Sequence, residues 1–371
     1  MKTVQLVPAM EQGGVERGVV EVNKALSAHG WENIVVAQGG RLLEKIEQDG
    51  GRVVRMDMKS KNPLTFFSRV RQLRRFLERE RPDAVCAHSR VPAWLFASAN
   101  RKLGIPWITF AHGANSISAY SRIMTRGTLT VTPSRYIAEY LKSAYGIDEE
   151  KLCVIPRAID REKFDPAHLD REFIESKKLE WRTEGRKVVM GLGRITQLKG
   201  YDTLVRAAAI VREKIPNLRL VIVGEAEEKR KDVEAALRGL VDELGLGDTV
   251  VFAGNQQKVA ECLSIADVVV SSNTKKPEAF GRSMAEALAM NRPVMATAFG
   301  GALDIVESGK NGVLVPVEHA DAEGFAAAIQ EALASDFGDV RTPAIEKFSF
   351  PKMIAGSIAA YERVVEEGAK K

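Results

Sequence analysis

The chain alternates between short apolar runs and amphipathic stretches with helical periodicity. In the first half, each short run is rich in β-branched or aromatic residues and is separated from the next by a helix-like segment. Six such runs are predicted as strands: 4–8, 34–38, 53–56, 84–87, 107–111 and 129–132. This alternation is typical of a parallel α/β sheet that is covered by helices.

A second series of apolar runs follows a charged, irregular stretch at 160–186. Its predicted strands are 188–192, 220–223, 250–253, 268–271, 294–297 and 313–315. We therefore predict an α/β fold with two Rossmann-like, doubly wound domains, 1–165 and 180–350. Residues 351–371, entered through a proline, predict a C-terminal helix that can pack back on the first domain.

The composition is that of an ordinary globular protein, since 45% of the 371 residues are hydrophobic and 28% are charged. No apolar run approaches the roughly 20 residues that a membrane span requires, and no export signal is predicted. The three cysteines are far apart and lack partners at metal-ligand spacing, so neither disulfides nor a zinc site is expected. These features favour a cytoplasmic protein, and no nucleic-acid partner is expected.

Basic residues concentrate in the first half of the chain. Residues 1–160 carry 24 Lys and Arg against 16 Asp and Glu, whereas residues 161–371 carry 30 against 33. Part of this excess lies on an amphipathic helix predicted at 63–81, whose apolar face consists of Leu64, Phe67, Val70, Leu73 and Leu77. Such a helix suits contact with anionic lipid or an acidic acceptor, and equally a solvated charged face on a packed helix.

The loops that follow the strands are where ligands are expected, because open α/β sheets bind them outside the carboxyl ends of their strands. After strand 188–192, Gly193-Arg194 and Lys199-Gly200 bracket a loop that leads into a helix. Glycines let backbone amides approach phosphate oxygens, and the two cations can neutralise a diphosphate. Taken alone, the pattern is equally typical of a solvated basic loop.

A second motif lies at 277–286, Pro-Glu-Ala-Phe-Gly-Arg-Ser-Met-Ala-Glu. Glu278 precedes a predicted helix and Glu286 lies inside it, so both carboxylates can face one ligand. The amides of Phe280 and Gly281, at the helix N-terminus, lie between them and favour an anion. Carboxylates accept hydrogen bonds from vicinal hydroxyls, so the arrangement suits a phosphate flanked by a ribose and a hexose. The alternative is two unrelated surface charges.

This stretch resembles the E-x7-E motif of the retaining GT-B glycosyltransferases of family 4, and the loop at 193–200 is similar to theirs. The likeness covers nearly the whole chain, including 13–17, the loop at 111–113 and the segment 155–160. It implies two Rossmann-like domains that face a central cleft. Two positions depart from the family: Arg157-Ala158 stands where Asn-Gly is usual, and Ala279 where glycine is frequent.

The resemblance implies roles for the residues on the donor side. Arg194 and Lys199 would bind the donor diphosphate, and Glu286 would bind the ribose. Glu278 would hold the transferred sugar, together with the amides of Ala279, Phe280 and Gly281. Asn255, after strand 250–253, would approach the base. Glu278, Arg194, Lys199 and His112 are the residues predicted to take part in catalysis.

The resemblance also places residues of the first domain near the reacting centre. His112 would lie at the sugar and acceptor side, and Gly13 and Gly14 would contact the donor as the domain closes. Arg17, His88 and Arg157 are predicted on the acceptor side. Three alternatives stay open: His88 and His112 as strand-end histidines that hydrogen-bond to backbone, and Arg17 as a solvated surface charge.

The implied activity is transfer of a hexose-type sugar, with retention, from a UDP- or GDP-sugar to a glycan or lipid-linked acceptor. Synthesis of lipopolysaccharide or another cell-surface polysaccharide, at the cytoplasmic face of the inner membrane, fits the basic first half. In the mechanism proposed for the family, the leaving phosphate takes the acceptor proton. The sequence has no Asp-x-Asp pair to hold a divalent ion, so no metal or other cofactor is expected.

Other functions remain as alternatives. A nicotinamide dehydrogenase is disfavoured because the first strand is not followed by G-x-G-x-x-G. A nucleotide-sugar epimerase or a phosphorylase on the same architecture would use a similar donor site. A non-catalytic protein that binds sugar nucleotides is a third possibility, which donor binding without turnover would reveal.

Overall fold

The apolar runs of the first half form a parallel sheet, as their alternation with helical segments predicts. A computed structural model describes residues 1–11 and 13–370. The strands are β1 (Lys2–Leu6), β2 (Glu32–Ala37), β3 (Arg52–Arg55), β4 (Ala84–Ala87), β5 (Trp107–Phe110), β6 (Leu129–Thr132) and β7 (Leu152–Val154). All neighbours are parallel, in the order β3-β2-β1-β4-β5-β6-β7.

The second series of runs forms another parallel sheet. Its strands are β8 (Lys187–Leu192), β9 (Leu218–Val223), β10 (Val250–Gly254), β11 (Val268–Ser271), β12 (Val294–Thr297) and β13 (Gly312–Val315). Their order is β10-β9-β8-β11-β12-β13. Strands β9 and β10 are added on one side of β8, and β11 to β13 are added on the other. The crevice between β8 and β11 is therefore a switch point of the kind where open α/β sheets bind ligands. The predicted α/β class with two doubly wound sheets is therefore confirmed.

Helices connect the strands and cover both sheets. Their bounds are α1 (Gly14–Ala28), α2 (Leu43–Gln48), α3 (Phe66–Glu80), α4 (Arg90–Ala99), α5 (Arg135–Tyr145), α6 (Arg171–Glu180), α7 (Tyr201–Lys214), α8 (Lys231–Glu243), α9 (Val259–Ile265), α10 (Arg282–Ala289), α11 (Ala302–Ile305), α12 (Ala322–Ala334), α13 (Arg341–Lys347) and α14 (Phe350–Ala369). No helix in the described part of the chain is long and apolar enough to span a bilayer.

The chain divides into two compact units. The first unit contains Met1–Arg157 together with the segment from Pro351 onward, and the second unit is Ala158–Phe350. The sequence places the boundary later, near residue 165. The structure places it at 158 because Ile159 and Phe164 are buried in the core of the second unit, and the Ile159 amide donates to the Phe348 carbonyl at 2.8 Å.

Helix α14 belongs to the first unit. Its Tyr361 side chain is buried and lies edge-on to Trp31, with ring centroids 6.4 Å apart. Ala360 and Ser357 of the same helix line a small cavity of about 20 Å³ that also borders His88. The last helix of the chain therefore forms part of the wall behind a residue of the candidate site.

Helix α3 only partly matches the apolar face predicted from the sequence. Val70, Leu73 and Leu77 are buried in the first core, as a helix packed on its sheet requires. Leu64 and Phe67 instead remain 88% and 79% exposed, because Leu64 precedes α3 in a short 3₁₀ turn and Phe67 lies on its outer side. Two large apolar side chains thus project into solvent beside the exposed Arg71 and Arg75.

Candidate active site

The loop between β8 and α7 is shaped by glycines at both ends. Gly193 and Gly200 have φ values of +139° and +64°, which L side chains rarely adopt. A β-carbon at Gly200 would lie 2.0 Å from the carbonyl oxygen of Ser272, in the segment after β11. The Ser272 hydroxyl also donates to the Lys199 carbonyl at 2.7 Å. The loop is therefore fixed against the end of the neighbouring strand.

Lys199 and Glu278 meet at this edge of the second sheet. The Lys199 ammonium (Nζ) lies 2.5 Å from the Glu278 carboxylate (Oε1), and both side chains are half-buried. The buried Tyr201 hydroxyl donates to the Gly193 carbonyl at 3.2 Å. Burial, with the negative charge of Glu278, raises the pKa of Tyr201 above its usual range, so this hydroxyl stays a donor. Two residues 79 positions apart are thus brought together.

Backbone contacts hold Glu278 in place. Its carbonyl accepts a hydrogen bond from the Gly301 amide at 2.8 Å, in a short parallel bridge with Gly300. A β-carbon at Gly300, whose φ is +69°, would come within 2.5 Å of the same carbonyl oxygen. The buried Phe280 packs edge-on against Phe348 at 5.4 Å, which anchors the following residues. The sequence gives no sign of these contacts, because they join segments distant along the chain.

The amides after Glu278 lead directly into α10. Gly281 precedes the helix with a φ of +102°, a conformation that favours glycine. Ala279 lies in the same loop and is half-buried. Glu286 is on the second turn of α10 and is also half-buried. The two carboxylates of the sequence motif therefore flank a helix N-terminus, as the motif predicts.

Arg194 and Asn255 lie in more exposed positions of the second unit. The Arg194 guanidinium forms an ion pair with Glu227, a residue that no sequence motif indicates. Both side chains of this pair are exposed. Asn255 is exposed directly after β10, and the Gly224 amide donates to the Gly254 carbonyl at 2.8 Å, joining the ends of β9 and β10. All these donor-side residues follow carboxyl ends of the second sheet.

In the first unit, His112 is part of a chain of four polar side chains. Arg157 Nη2 donates to His112 Nδ1 at 2.5 Å. Since arginine can only donate, His112 accepts at Nδ1 and carries its proton on Nε2, which lies 3.0 Å from His88 Nδ1. His88 Nε2 then donates to Gln5 Oε1 at 3.0 Å. The hydrogen-bond network thus assigns a neutral tautomer to both rings.

His88 lies in the interior of the first unit, behind His112. Burial and the positive charge of Arg157 lower the pKa of His88 to about 3, so the ring is neutral near pH 7. The sequence left open whether His88 contacts the acceptor or is a strand-end histidine hydrogen-bonded to backbone. In the structure, its ring nitrogens form hydrogen bonds with the side chains of His112 and Gln5 instead of backbone. Its ring lies between Gln5 and His112 and supports His112 from behind.

Arg157 fits into a space that Gly18 leaves open. The Arg157 side chain is buried, and its guanidinium carbon lies 4.6 Å from the centre of the Phe110 ring. Gly18 is inside α1, where a β-carbon would lie 2.1 Å from Arg157 Nη1. Phe110 in turn stacks on His112, with ring centroids 4.2 Å apart. A glycine inside a helix is unusual, but its partner Arg157 lies far along the chain, so the sequence alone does not assign this contact.

A cavity of about 330 Å³ opens at the carboxyl edge of the first sheet. His112, Asn115 and Tyr120 line it from the segment after β5. The predicted residues Gly13, Gly14 and Arg17 are not among its lining residues; Gly14 begins α1 and Arg17 is exposed on that helix. Of the residues predicted on the acceptor side, His88 is therefore in the cavity lining, whereas Arg157 is buried outside that lining and Arg17 is exposed.

Metal independence stays a prediction. Within residues 1–11 and 13–370, no three His, Cys, Asp or Glu side chains are grouped as metal ligands would be. Cys86 is buried, and burial raises the pKa of its thiol to about 12, which keeps it protonated.

Two family models match the chain. The model described as Glycosyltransferase Family 4 matches residues 12–163, and the model described as Glycosyl transferases group 1 matches residues 172–347. The gap between them lies close to residue 158, where the second unit begins. The first model covers β2 to β7, and the second covers β8 to β13.

Curated relatives match parts of the chain. A D-inositol 3-phosphate glycosyltransferase of Stackebrandtia nassauensis is 31% identical over 261 residues, which is 63% of this chain and 56% of the relative. The lipopolysaccharide core biosynthesis glycosyltransferase LpsE of Rhizobium meliloti is 34% identical over 149 residues, 40% of either protein. The chain thus spans about half the length of these relatives.

Solved structures match nearly the whole chain. A glycosyltransferase from Rickettsia africae has a TM-score of 0.86 at 27% identity, covering 98% of both chains. Anabaena HepE, in complex with UDP and glucose, has a TM-score of 0.82 at 21% identity, covering 98% of this chain and 99% of that one. With a family model on each unit and this fold, the chain belongs to the GT-B glycosyltransferases of family 4, the glycosyl transferases group 1.

Proposed function

We propose that the chain is a retaining glycosyltransferase that moves a hexose-type sugar from a UDP- or GDP-sugar to a glycan or lipid-linked acceptor. The observation that carries the proposal is the Lys199–Glu278 pair, 2.5 Å apart in glycine-shaped loops at one sheet edge. An ammonium binds diphosphate oxygens, and a carboxylate beside it binds sugar hydroxyls. One ligand that carries both groups is a nucleotide sugar, the class that UDP-glucose represents.

The other donor contacts follow the same chemistry. Arg194 lies on the same loop as Lys199 and joins it at the diphosphate, exchanging Glu227 for phosphate oxygens. Glu286 accepts hydrogen bonds from the ribose, and the amides of residues 279–281 face the anion. Asn255 approaches the base. The complex of HepE with UDP and glucose, in a protein of the same fold, supports this class of donor.

Electrostatic stabilisation of the leaving group is the main source of the proposed catalysis. As the bond from the anomeric carbon to the phosphate oxygen breaks, negative charge collects on the diphosphate. Lys199 and Arg194 stabilise that charge more than they stabilise the intact donor, which lowers the barrier. The leaving phosphate takes the acceptor proton, the acceptor oxygen bonds to the same face of the sugar, and no metal is required.

The acceptor belongs to lipopolysaccharide or another cell-surface polysaccharide in this proposal. The name of the relative LpsE supports such an acceptor. We further propose peripheral contact with the cytoplasmic face of the inner membrane through Leu64, Phe67, Arg71 and Arg75, where exposed apolar and cationic side chains occur together. Leu64→Ser with Phe67→Ser should then reduce sedimentation with vesicles containing anionic lipid. Unchanged sedimentation would exclude this surface.

The donor proposal is tested with a panel of nucleotide sugars in the presence of EDTA. Binding and slow donor hydrolysis are measured for the intact protein, Arg194→Ala and Glu286→Ala. Arg206→Ala and Glu346→Ala are matched controls, since both side chains are exposed on helices of the second unit. We expect one donor to bind and to be hydrolysed without metal. Both site variants should lose donor binding and hydrolysis, and both controls should retain them.

Other outcomes separate the alternatives. Conversion of the donor to an epimer, or a requirement for inorganic phosphate, would identify an epimerase or a phosphorylase. Donor binding without turnover across a wide set of acceptors would favour a binding protein. If no nucleotide sugar binds, or if binding survives both substitutions, the proposed site is wrong.

A further inference from the structure

The cavity of the first unit is cationic. Besides His112 and Asn115, it is lined by Lys59 and Lys61 from the segment after β3, and by Arg90 at the start of α4. Among the described residues that line it, no carboxylate occurs to balance these three charges. A concave surface with charges of one sign concentrates ligands of the opposite sign. This contrasts with the second unit, where Lys199 and Arg194 each have a carboxylate partner.

Arg90 is held in position and retains donors for a ligand. One of its nitrogens, Nη1, donates to the Ser121 hydroxyl at 3.1 Å, and the guanidinium carbon lies 5.4 Å from the centre of the Tyr120 ring. The Ser121 bond uses one of the five N–H groups of the side chain. Tyr120 itself stacks on Trp94, with centroids 6.3 Å apart. A planar donor fixed in this way suits recognition of a phosphate or carboxylate.

The two lysines lie on an ordered segment. The Asp57 carboxylate accepts hydrogen bonds from the amides of Lys59 at 3.0 Å and Ser60 at 2.9 Å. These contacts, with the charge of Arg69, lower the pKa of Asp57 despite partial burial, so the bonds persist near neutral pH. Asp57 is outside the cavity lining. It fixes the segment without neutralising the lysines in the cavity.

We propose that the acceptor sugar carries an anionic group, a phosphate or a carboxylate, which Lys59, Lys61 and Arg90 bind in this cavity. The inference rests on the proposed transferase function and names the class of acceptor. With His112 in the lining of the same cavity, one pocket of about 330 Å³ holds both the anionic group and the part of the sugar near the reacting centre. Pockets of this size accommodate small ligands of a few functional groups.

The test compares four probes: glucose, glucose 6-phosphate, glucuronate and inorganic phosphate. Their dissociation constants are measured by calorimetry at low and moderate salt, for the intact protein and for Lys59→Ala with Lys61→Ala. Lys102→Ala is the control, because Lys102 is exposed in the first unit and outside the cavity lining. We expect the two sugar acids to bind at least about tenfold more tightly than glucose, and the double variant to lose this preference.

A second variant separates charge from geometry. Arg90→Lys keeps the charge but loses the planar pair of donors, so it should weaken glucose 6-phosphate binding by a smaller factor than the double lysine variant does. Equal binding of glucose and the sugar acids overturns the inference, and so does a preference that survives loss of both lysines. Binding of inorganic phosphate without either sugar acid also overturns it. UDP binding by the intact protein is measured alongside and reports on the second unit. If the intact protein does not bind UDP, the result contradicts the proposed transferase rather than the proposed acceptor class.

Discussion

The carboxyl edges of the two sheets are built in opposite ways. In the second unit, the candidate donor residues are charged and paired: Lys199 with Glu278, and Arg194 with Glu227. In the first unit, the residues around His112 form a neutral histidine chain that ends on the buried Arg157. Side chains that already have partners can exchange them for a ligand, whereas a buried chain of hydrogen bonds keeps one arrangement.

This difference indicates that the two units bind their ligands in different ways. A diphosphate and a sugar replace ion-pair partners in the second unit at little cost, because those pairs are partly exposed to water. The first unit instead offers a ring whose tautomer and orientation are fixed before a ligand arrives. Preorganised groups of this kind lose little conformational entropy on binding. The following predictions test whether the paired charges of the second unit govern donor turnover, and whether steric fit holds the histidine chain of the first unit in place.

The largest effect is expected for Lys199→Ala. Removing the ammonium leaves the charge on the leaving diphosphate less stabilised, so kcat should fall by about 10²- to 10³-fold. Initial rates at saturating donor give the measurement, and Lys214→Ala, on the exposed end of α7, is the control. A variant that keeps its rate within twofold would show that charge at this position does not govern turnover.

A steric prediction concerns Gly18→Ala. The added β-carbon would overlap the Arg157 guanidinium, so the substitution should destabilise the protein by about 1–3 kcal/mol. Gly239→Ala is the matched control, because Gly239 is also inside a helix and its β-carbon would contact nothing within 4 Å. The control should instead gain up to about 1 kcal/mol. Urea unfolding measures the free energy of unfolding of both variants. If the two variants change it by similar amounts, the Arg157 side chain can move away from the added methyl group without strain.

The buried His88 predicts a dependence of stability on pH. Its pKa of about 3 lies below the value near 6.5 of an unfolded chain, so the unfolded state binds more protons between these limits. The contribution of His88 to the free energy of unfolding is therefore present above pH 6.5 and decreases as pH falls. The expected decrease between pH 7 and 5 is about 2 kcal/mol. Urea unfolding at several pH values tests this, with His88→Gln as the comparison. An unchanged pH slope in that variant would assign the loss to other groups.

The smallest effect is expected for Glu227→Gln. The ion pair with Arg194 is exposed at both ends, so its loss should change the free energy of unfolding by less than about 0.5 kcal/mol. Donor binding should persist or become tighter, since Arg194 no longer has to leave a carboxylate. Calorimetric titration with UDP measures this. Weaker binding would mean that Glu227 itself contacts the donor.

The sequence predicts the architecture well because the strand–helix alternation is a local signal. The short edge strand β7 was missed, since Leu152–Val154 is only three residues long and only partly buried. The start of the second unit at 158 depends on Ile159 and Phe164 packing into the second core, which the local pattern does not indicate. The first feature lacks a long enough local pattern, and the second depends on contacts between segments that are distant along the chain.

The candidate site was only partly accessible from sequence. The glycine-bounded loop and the carboxylate pair identify their positions, because residue type and spacing carry that chemistry. Glu227, Gln5 and Gly18 could not be assigned, since their importance arises from a partner far along the chain. The functional roles of the predicted site residues remain predictions that the substitutions above test.

The position of α14 has a consequence for the order of synthesis. Domains generally fold as units while the chain emerges from the ribosome, beginning at the N-terminus. Here the first unit takes its final helix from residues after 350, so the wall behind His88 is absent until the entire second unit has been translated. The first unit therefore cannot complete its packing during synthesis until residues 351–370 have been translated.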